Sequence, residues 1–417
     1  MNDAAGACRR RATCRLCDSS YLSLVLSLTP TPPANAFITA AALDAPQECF
    51  PLDLHLCGEC GHLQLLHVVD PDVLFADYVY VSGTSPSFVA HFEDYARNVM
   101  EIYQPPPGAL VVDIGSNDGT LLHFFQQAGM AVQGIDPARD IARAACESGI
   151  ETLNAFFDAA LSAQIREDKG AAAVVTANNV FAHIDDLASV VAGVRALLDE
   201  DGVFVFEVSY LADVLEKTLF DTIYHEHLSY HGVMPLVAFF AANGMELIAA
   251  ERVDTHGGSL RGVAQLAGGT RAVAESVAAC LELEDRLGLG RPETFHEFAH
   301  RIDALKTSLR DLLAGLKAEG RSIAGYGAPA KATTLMYHFG LGPDIIDFIV
   351  DDSPLKQGLY SPGLHVPVLP SGAITEHRPD YLLILAWNFA QPIMANNSAF
   401  HEAGGHFIIP VPELEVV

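Results

Sequence analysis

A short segment near the middle of the chain concentrates side chains that can transfer protons. It has the sequence F-D-T-I-Y-H-E-H-L-S-Y-H and contains Tyr224, His225, Glu226 and His227. An imidazole is suited to accept a proton near neutral pH, a neighbouring carboxylate can orient the ring or raise its pKa, and a phenol can polarise a carbonyl group. We predict that at least one member of this cluster is catalytic.

Other interpretations of the same residues stay open. His227 and His231 are four residues apart and could bind a metal ion from one face of a helix, with Glu226 nearby. The cluster could also consist of ordinary polar residues at a domain interface. His183, which follows a pair of asparagines, could likewise be only a structural cap.

Four of the eight cysteines form two C-x-x-C pairs, Cys14 with Cys17 and Cys57 with Cys60. Each two-residue gap lets both thiolates reach one ion from a tight turn, so the two turns predict a tetrahedral zinc site. Four thiolates leave no open coordination position, and the zinc is therefore predicted to be structural. The alternatives are disulfides, which a reducing cytosol disfavours, and a chance arrangement.

A glycine turn follows an apolar segment, Leu110 to Ile114, that we predict to be a buried strand. The turn reads D-I-G-S-N-D-G, and a second predicted strand ends at Asp136, 21 residues after Gly115. Glycines after a first strand let a ligand approach the backbone, and an acid that closes the second strand can bind ribose hydroxyls. With further strands predicted at 172–176 and 202–207, this region indicates a doubly wound α/β sheet.

The glycine turn lacks the G-x-G-x-x-G fingerprint of dinucleotide-binding proteins. It resembles instead the first motif of class I methyltransferases, which bind S-adenosylmethionine (SAM) and have no pyrophosphate to hold. The resemblance implies the following SAM-binding residues: Asp113, Gly115, Asn117, Asp136 and Asn178. A Rossmann-like domain that binds NAD, or that binds nothing, is the alternative.

A second α/β unit is predicted in the last third of the chain, after a helical stretch at about 272–320. It opens with the sequence S-I-A-G-Y-G-A-P-A-K, in which a strand and a glycine turn lead into a helix start. The backbone N–H groups of such a turn can bind an anion, and Lys331 adds positive charge. Further strands are predicted at 345–350, 381–386 and 407–410. A structural domain with a vestigial glycine turn is the alternative.

The composition limits the classes of function. A chain of 417 residues corresponds to two or three domains, and its formal charge of −28 repels phosphate backbones and anionic lipids. We therefore expect no nucleic-acid partner and no membrane association. No run of about 18 apolar residues and no signal segment is evident, so we expect a cytoplasmic protein. We expect a monomer, since three domains can bury their own apolar faces.

The order of these motifs resembles that of the NDP-sugar C-methyltransferases of deoxysugar pathways. The likeness includes the two C-x-x-C pairs, D-I-G-S-N-D-G, Y-H-E-H, H-G-G-S-L-R and G-Y-G-A-P-A-K, and it spans nearly the whole chain. It implies an α/β protein with a zinc-ribbon-like module at 1–75 and a class I SAM methyltransferase domain with a His-rich insert at 76–268. A helical connector and a Rossmann-like domain that binds the nucleotide sugar are implied at 269–417.

The resemblance also implies a reaction. A proton α to the ketone of an NDP-linked 4-keto deoxysugar is removed, and the enolate is methylated by SAM at carbon 3. His227 corresponds to the general base and His183 to a contact of the sugar, with assistance from Tyr224, Glu226 and Tyr80. The implied substrate-binding residues are His225, Arg261 and Lys331.

Two other functions remain open, namely an O- or N-methyltransferase of a small molecule and a non-catalytic scaffold that binds SAM or a nucleotide. The presence of Tyr224, Glu226 and His227 speaks against the scaffold. We also expect that chelating the zinc unfolds the N-terminal module without directly stopping chemistry in the middle domain.

Overall fold

The computed structural model describes residues 7–75, 83, 86–255 and 257–417. Tyr80 lies outside the described residues. Among the helices that are described, none combines the length and the apolar character that a membrane crossing requires.

The N-terminal module is built from short antiparallel strands. In chain order these are β1 (Cys8–Arg10), β2 (Leu22–Thr31), β3 (Phe50–Cys57), β4 (Leu63–Leu65) and β5 (His67–Val69), followed by helix α1 (Pro71–Phe75). Strand β3 alternates, so that Leu52, Leu54 and Leu56 are all buried on the core face of the sheet. Strand β1 pairs with β5, while β2, β3 and β4 form a separate sheet.

That second sheet is completed by a strand from far along the chain. Strand β11 (Ser229–Tyr230) pairs antiparallel with β4, giving the order β11-β4-β3-β2. Because β11 begins two residues after His227, the predicted catalytic segment is part of the same sheet as the cysteine turns. The zinc module and this segment thus share a sheet, a connection that the sequence analysis does not anticipate.

The middle domain consists of a sheet with helices on both faces. Its helices are α2 (Pro86–Tyr103), α3 (Thr120–Gln127), α4 (Arg139–Glu147), α5 (Ala159–Lys169), α6 (Leu187–Leu197), α7 (Leu211–Glu216) and α8 (Val233–Ala242). Its strands are β6 (Leu110–Ile114), β7 (Ala131–Ile135), β8 (Thr152–Leu153), β9 (Ala172–Asn178), β10 (Leu198–Ser209), β12 (Met245–Val253) and β13 (Ser259–Leu266).

The order of these strands is β8-β7-β6-β9-β10-β13-β12. The first five run parallel, and β13 is antiparallel to both of its neighbours. The direction of winding reverses between β6 and β9, which is the switch point where ligands bind in open α/β sheets. This is the predicted class I methyltransferase arrangement, and the fold-class prediction is confirmed.

Two helices and a second α/β unit make up the rest of the chain. The helices of this part are α9 (Glu275–Leu287), α10 (Pro292–Ala318), α11 (Ala330–Phe339), α12 (Ala373–His377), α13 (Ala390–Asn396) and α14 (Ser398–Glu402). The strands are β14 (Ile323–Tyr326), β15 (Ile349–Val350), β16 (Val368–Leu369), β17 (Tyr381–Ile384), β18 (His406–Ile409) and β19 (Glu415–Val416). The predicted helical stretch is thus divided, because Gly288 ends α9 with φ +68° and Pro292 starts α10.

The second sheet has the order β16-β15-β14-β17-β18-β19, with only β19 antiparallel to its neighbour among the described strands. Its switch point lies between β14 and β17. One continuous apolar core links all three modules and includes Leu54, Phe220 and Phe339. The rings of Phe220 and Phe339 stack with centroids 4.8 Å apart, which joins the predicted catalytic segment to the C-terminal domain.

Candidate functional site

The switch point of the middle sheet opens into a cleft of about 410 Å³. Its floor is the glycine turn after β6, where Gly115 has φ +71°. A Cβ atom at Gly115 would lie 2.3 Å from Val180 Cγ2, so only glycine lets the two switch-point loops approach this closely. The cleft is also lined by Phe88 and Phe92 from α2.

Polar groups face this cleft at the positions predicted for SAM binding. The carboxylate of Asp136 accepts hydrogen bonds from the backbone N–H groups of Asn117 at 2.9 Å and Ala138 at 2.8 Å. These bonds fix the carboxylate beside the glycine turn, where its remaining lone pairs can accept from ribose hydroxyls. Burial raises the pKa of Asp136, although the two backbone bonds oppose that shift.

Two more side chains of the cleft fit a cofactor with a polar amino-acid part. Both amide atoms of Asn178 are buried and have no hydrogen-bond partner among the described residues. Asp113 accepts a hydrogen bond from the Thr176 hydroxyl at 2.6 Å, and burial raises the pKa of this carboxyl to about 7. The cleft therefore offers both acceptors and donors, as SAM binding requires.

An imidazole pair stands next to the cleft. His183 lines it, and the His183 and His227 ring centroids are 5.0 Å apart. The ring of Tyr224 lies 4.1 Å from that of His227. Residues that are far apart in sequence, on the loop after β9 and in the segment before β11, are thus brought together.

The tautomer of His227 is set by its backbone contact. Nδ1 lies 2.7 Å from the carbonyl oxygen of Thr222, so Nδ1 carries the proton and donates it. In the neutral ring Nε2 then carries the lone pair, which is what a general base needs. Removal from water and the neighbouring His227 hold the pKa of His183 well below its ordinary value.

Glu226 has a partner outside the cluster. Its buried carboxyl accepts a hydrogen bond from the Asn35 side chain at 2.9 Å, so it joins the catalytic segment to the N-terminal module. Burial raises the pKa of Glu226 to about 7, against the opposing effect of Asn35.

The structure departs from two of the predicted substrate contacts. His225 is fully buried, its Nε2 lies 3.1 Å from the Phe50 carbonyl oxygen, and burial lowers its pKa to about 4. It packs the catalytic segment onto β3. Arg261 pairs with the buried carboxylate of Glu207 at 3.0 Å, and its guanidinium lies 4.4 Å from the centre of the Tyr95 ring. Its charge is therefore neutralised within the sheet.

Lys331 lies at the second switch point, in the first turn of α11. Its Nζ is 3.7 Å from the centre of the Trp387 ring, and Trp387 follows β17 across that switch point. The Trp387 indole N–H donates to Asp221 at 2.6 Å. Burial lowers the pKa of Lys331 to about 8, while the negative charge of Asp221 opposes the shift.

The four predicted zinc ligands converge in the N-terminal module. The sulfur atoms of Cys14, Cys17, Cys57 and Cys60 all lie within 4.8 Å of one another. The Cys14–Cys60 and Cys17–Cys57 sulfur pairs are each 3.6 Å apart. Tetrahedral zinc with bonds of about 2.3 Å places its sulfurs about 3.8 Å apart, so these thiols fit the ion.

Sequence reasoning missed several residues of the site. Asn35, Asp185, Asp221 and Trp387 contact the site from other modules or loops, and Arg15 reaches it from the first cysteine turn. Trp387 carried a usable signal, since it is the one tryptophan of the chain and directly follows a predicted strand. The others are common polar residues, each with a partner in the site more than 150 positions away.

Comparisons with known proteins agree with this geometry. A model of a zinc binding domain matches residues 14–75, a methyltransferase domain matches 89–250, and a C-methyltransferase C-terminal domain matches 254–412. The chain is 39% identical over 404 residues to the C-methyltransferase NovU of Streptomyces niveus, covering 97% of this chain and 96% of that protein. SAM as the cofactor and the zinc module are thereby confirmed.

Solved methyltransferases resemble part of the chain. One is magnesium protoporphyrin IX methyltransferase of Synechocystis PCC 6803 with bound SAH, at 16% identity and a TM-score of 0.34, covering 42% of this chain and 82% of that one. Another is the CcbJ methyltransferase of Streptomyces caelestis, at 13% identity and a TM-score of 0.35, covering 46% and 95%. The fold assignment rests on the strand order described above.

Proposed function

The chain belongs to the C-methyltransferase family, and from that membership we propose that it methylates carbon 3 of a nucleoside-diphosphate-linked 4-keto sugar. The observation that carries the proposal is the course of the segment from Asp221 to His227. Asp221 contacts Trp387 at the second switch point, and His227 contacts His183 beside the SAM cleft. One short segment therefore connects the second switch point, where Lys331 lies, with an imidazole next to the proposed SAM cleft.

The chemistry divides among the residues of this segment and its neighbours. His227 Nε2 takes the proton α to the ketone, since the Thr222 carbonyl holds the proton of the ring on Nδ1. His183, kept neutral by its lowered pKa, donates a hydrogen bond to the developing enolate oxygen. Tyr224 packs against His227 and restricts the rotation of its ring.

SAM supplies a methyl group on a sulfonium, which is already an activated leaving group. The protein provides alignment, because the cleft fixes the donor at one switch point and His227 fixes the acceptor carbon beside it. His227 as a proton acceptor at the α carbon and His183 as a hydrogen-bond donor at the ketone oxygen are suited to forming an enolate, whose carbon then attacks the methyl group. Methylation of oxygen or nitrogen would not need the α proton to leave.

The second switch point would hold the nucleotide end of the substrate. Lys331 remains mostly protonated near neutral pH, since its pKa of about 8 lies above that value. It stands at the start of α11, a ten-residue helix whose first N–H groups favour an anion. Lys331 is the substrate contact that we retain from the sequence prediction, and the buried Trp387 ring, which its Nζ contacts, would position it.

Calorimetric titration tests the proposal without an identified sugar. We expect saturable binding of SAM and, separately, of TDP or GDP, and we expect Lys331→Gln to weaken nucleotide binding about tenfold or more with SAM affinity unchanged. The matched control is Lys317→Gln, which removes a surface ion pair with Asp347 and should leave both affinities unchanged. Binding of SAM with no binding of either nucleotide would contradict a nucleotide-linked acceptor.

A further inference from the structure

Arg15 lies between the zinc ligands Cys14 and Cys17, yet its side chain points away from the metal site into the protein. The side chain is fully buried. Its Nε donates to Asp185 Oδ1 at 2.9 Å, and its Nη1 donates to the backbone carbonyls of Leu65 and Leu228. One guanidinium therefore contacts the N-terminal sheet, the loop after β9 and the segment after His227.

Asp185 belongs to the loop that carries His183, and it lines the SAM cleft. Arg9 and Arg11 also reach its carboxylate, and Arg11 donates in addition to the Asp185 backbone carbonyl at 3.1 Å. Although burial opposes it, the positive charge of Arg15 and its neighbours lowers the pKa of Asp185. The carboxylate thus stays charged and anchors its loop to the cysteine turn.

The loop and the catalytic segment are joined directly as well. The backbone N–H groups of Leu228 and Ser229 donate to the carbonyl of Ala182 at 3.0 and 3.1 Å. His183 and His227 are each the immediate neighbour of a residue in this junction. Arg15 contacts both chain segments of this junction, through Asp185 on one side and Leu228 on the other.

We propose that Arg15 is a positioning residue, which sets the spacing of the His183 and His227 rings by tying both of their chain segments to the first cysteine turn. The inference rests on the proposed catalytic role of these two imidazoles. Its physical basis is that a buried, forked guanidinium orients several separated acceptors at once, whereas a lysine ammonium is a compact point charge without that planar fork. The zinc module is then a part of the catalytic framework and not only a stabilising appendage.

The test uses the full-length zinc-loaded protein with Arg15→Gln, Arg15→Lys and Asp185→Asn. Hydrogen exchange followed by mass spectrometry should show faster exchange, by about tenfold or more, in peptides that contain the Leu228 and Ser229 amides. In single-turnover assays with labelled SAM and a TDP- or GDP-linked 4-keto sugar, methyl transfer should slow in all three variants, by about 10²-fold in Arg15→Gln and Asp185→Asn, while the Kd for SAM of the two Arg15 variants, measured by calorimetry, changes less than threefold. Arg15→Lys should fall between Arg15→Gln and the wild type.

Two further measurements make the outcome decisive. The zinc content of each variant must remain one ion per chain. The control variant Arg10→Gln changes an exposed residue of β1 and should match the wild type in both assays. If Arg15→Gln loses zinc, the result for Asp185→Asn decides between the outcomes, because Asp185 lies outside the cysteine turn. Unchanged exchange and unchanged transfer in Asp185→Asn would overturn the proposal. A wild type that binds SAM but methylates neither sugar would contradict the proposed function alone, since the exchange measurement needs no acceptor.

Discussion

At the scale of single residues, burial decides what the polar groups of the catalytic segment can do. The segment holds three neighbouring ionisable side chains, and the structure gives each a different environment. His225 is enclosed by the N-terminal module, Glu226 is bonded to Asn35, and His227 faces His183. Sequence spacing could identify the cluster, but it could not say which imidazole faces the cleft, because that depends on contacts with β3 and the Asn35 loop.

The raised pKa of Glu226 has a consequence for stability. A carboxyl whose folded-state pKa of about 7 exceeds its ordinary 4.5 binds more protons in the folded state than in the unfolded state between these values. Stability must then fall as the pH rises through that window, by up to roughly 3 kcal/mol for a fully buried group.

Glu226→Gln keeps the hydrogen-bond acceptor for Asn35 and removes the charge. We expect the melting temperature of the variant, relative to the wild type, to rise between pH 5 and pH 8. Differential scanning fluorimetry across this range measures the difference, with the exposed Glu297→Gln as the control. A difference that is constant with pH would show that Glu226 is charged in the folded protein.

At the scale of elements, the strand that follows His227 joins the cysteine turns to the proposed catalytic segment. The strands and turns of the middle domain could be predicted from local patterns, and β6 has the predicted bounds, Leu110 to Ile114. Strand β11 could not be predicted in this way. It has only two residues, which carry no periodic signal, and its partner strand β4 lies more than 160 positions away. The residue bounds of the three modules, 1–75, 76–268 and 269–417, stay a prediction.

Removal of the zinc should therefore disturb the catalytic segment directly. Chelation releases the cysteine turns, and we expect exchange protection of residues 224–230 to fall together with that of β3 and β4. Methyl transfer should decline in proportion to the zinc that is released, whereas peptides from β17 and β18 should keep their protection. Full activity and protection at residues 224–230 after complete metal loss would instead support an independent module.

At the scale of the whole molecule, two sheets present their switch points to one shared segment. Each sheet follows from its own stretch of sequence, and the α/β class of both was predictable because strand and turn signals are local. The contacts between modules, such as Trp387 with Asp221, depend on how the sheets pack around the common core, and no local pattern encodes them. Lys331 was predicted from its position at the start of a helix, but Trp387, whose ring it contacts, was not predicted.

The central claim is that His227 removes a proton α to a ketone before the methyl group moves. The direct measurement is exchange of that proton in D₂O, followed by NMR, with a TDP- or GDP-linked 4-keto-6-deoxy sugar and S-adenosylhomocysteine in place of SAM. We predict that the wild type and the exposed-site control His296→Asn exchange the proton at carbon 3. His227→Asn should lose this exchange by at least 10²-fold and keep its affinity for SAM. Equal exchange in wild type and His227→Asn, or methyl transfer to oxygen or nitrogen without any exchange, would contradict the account.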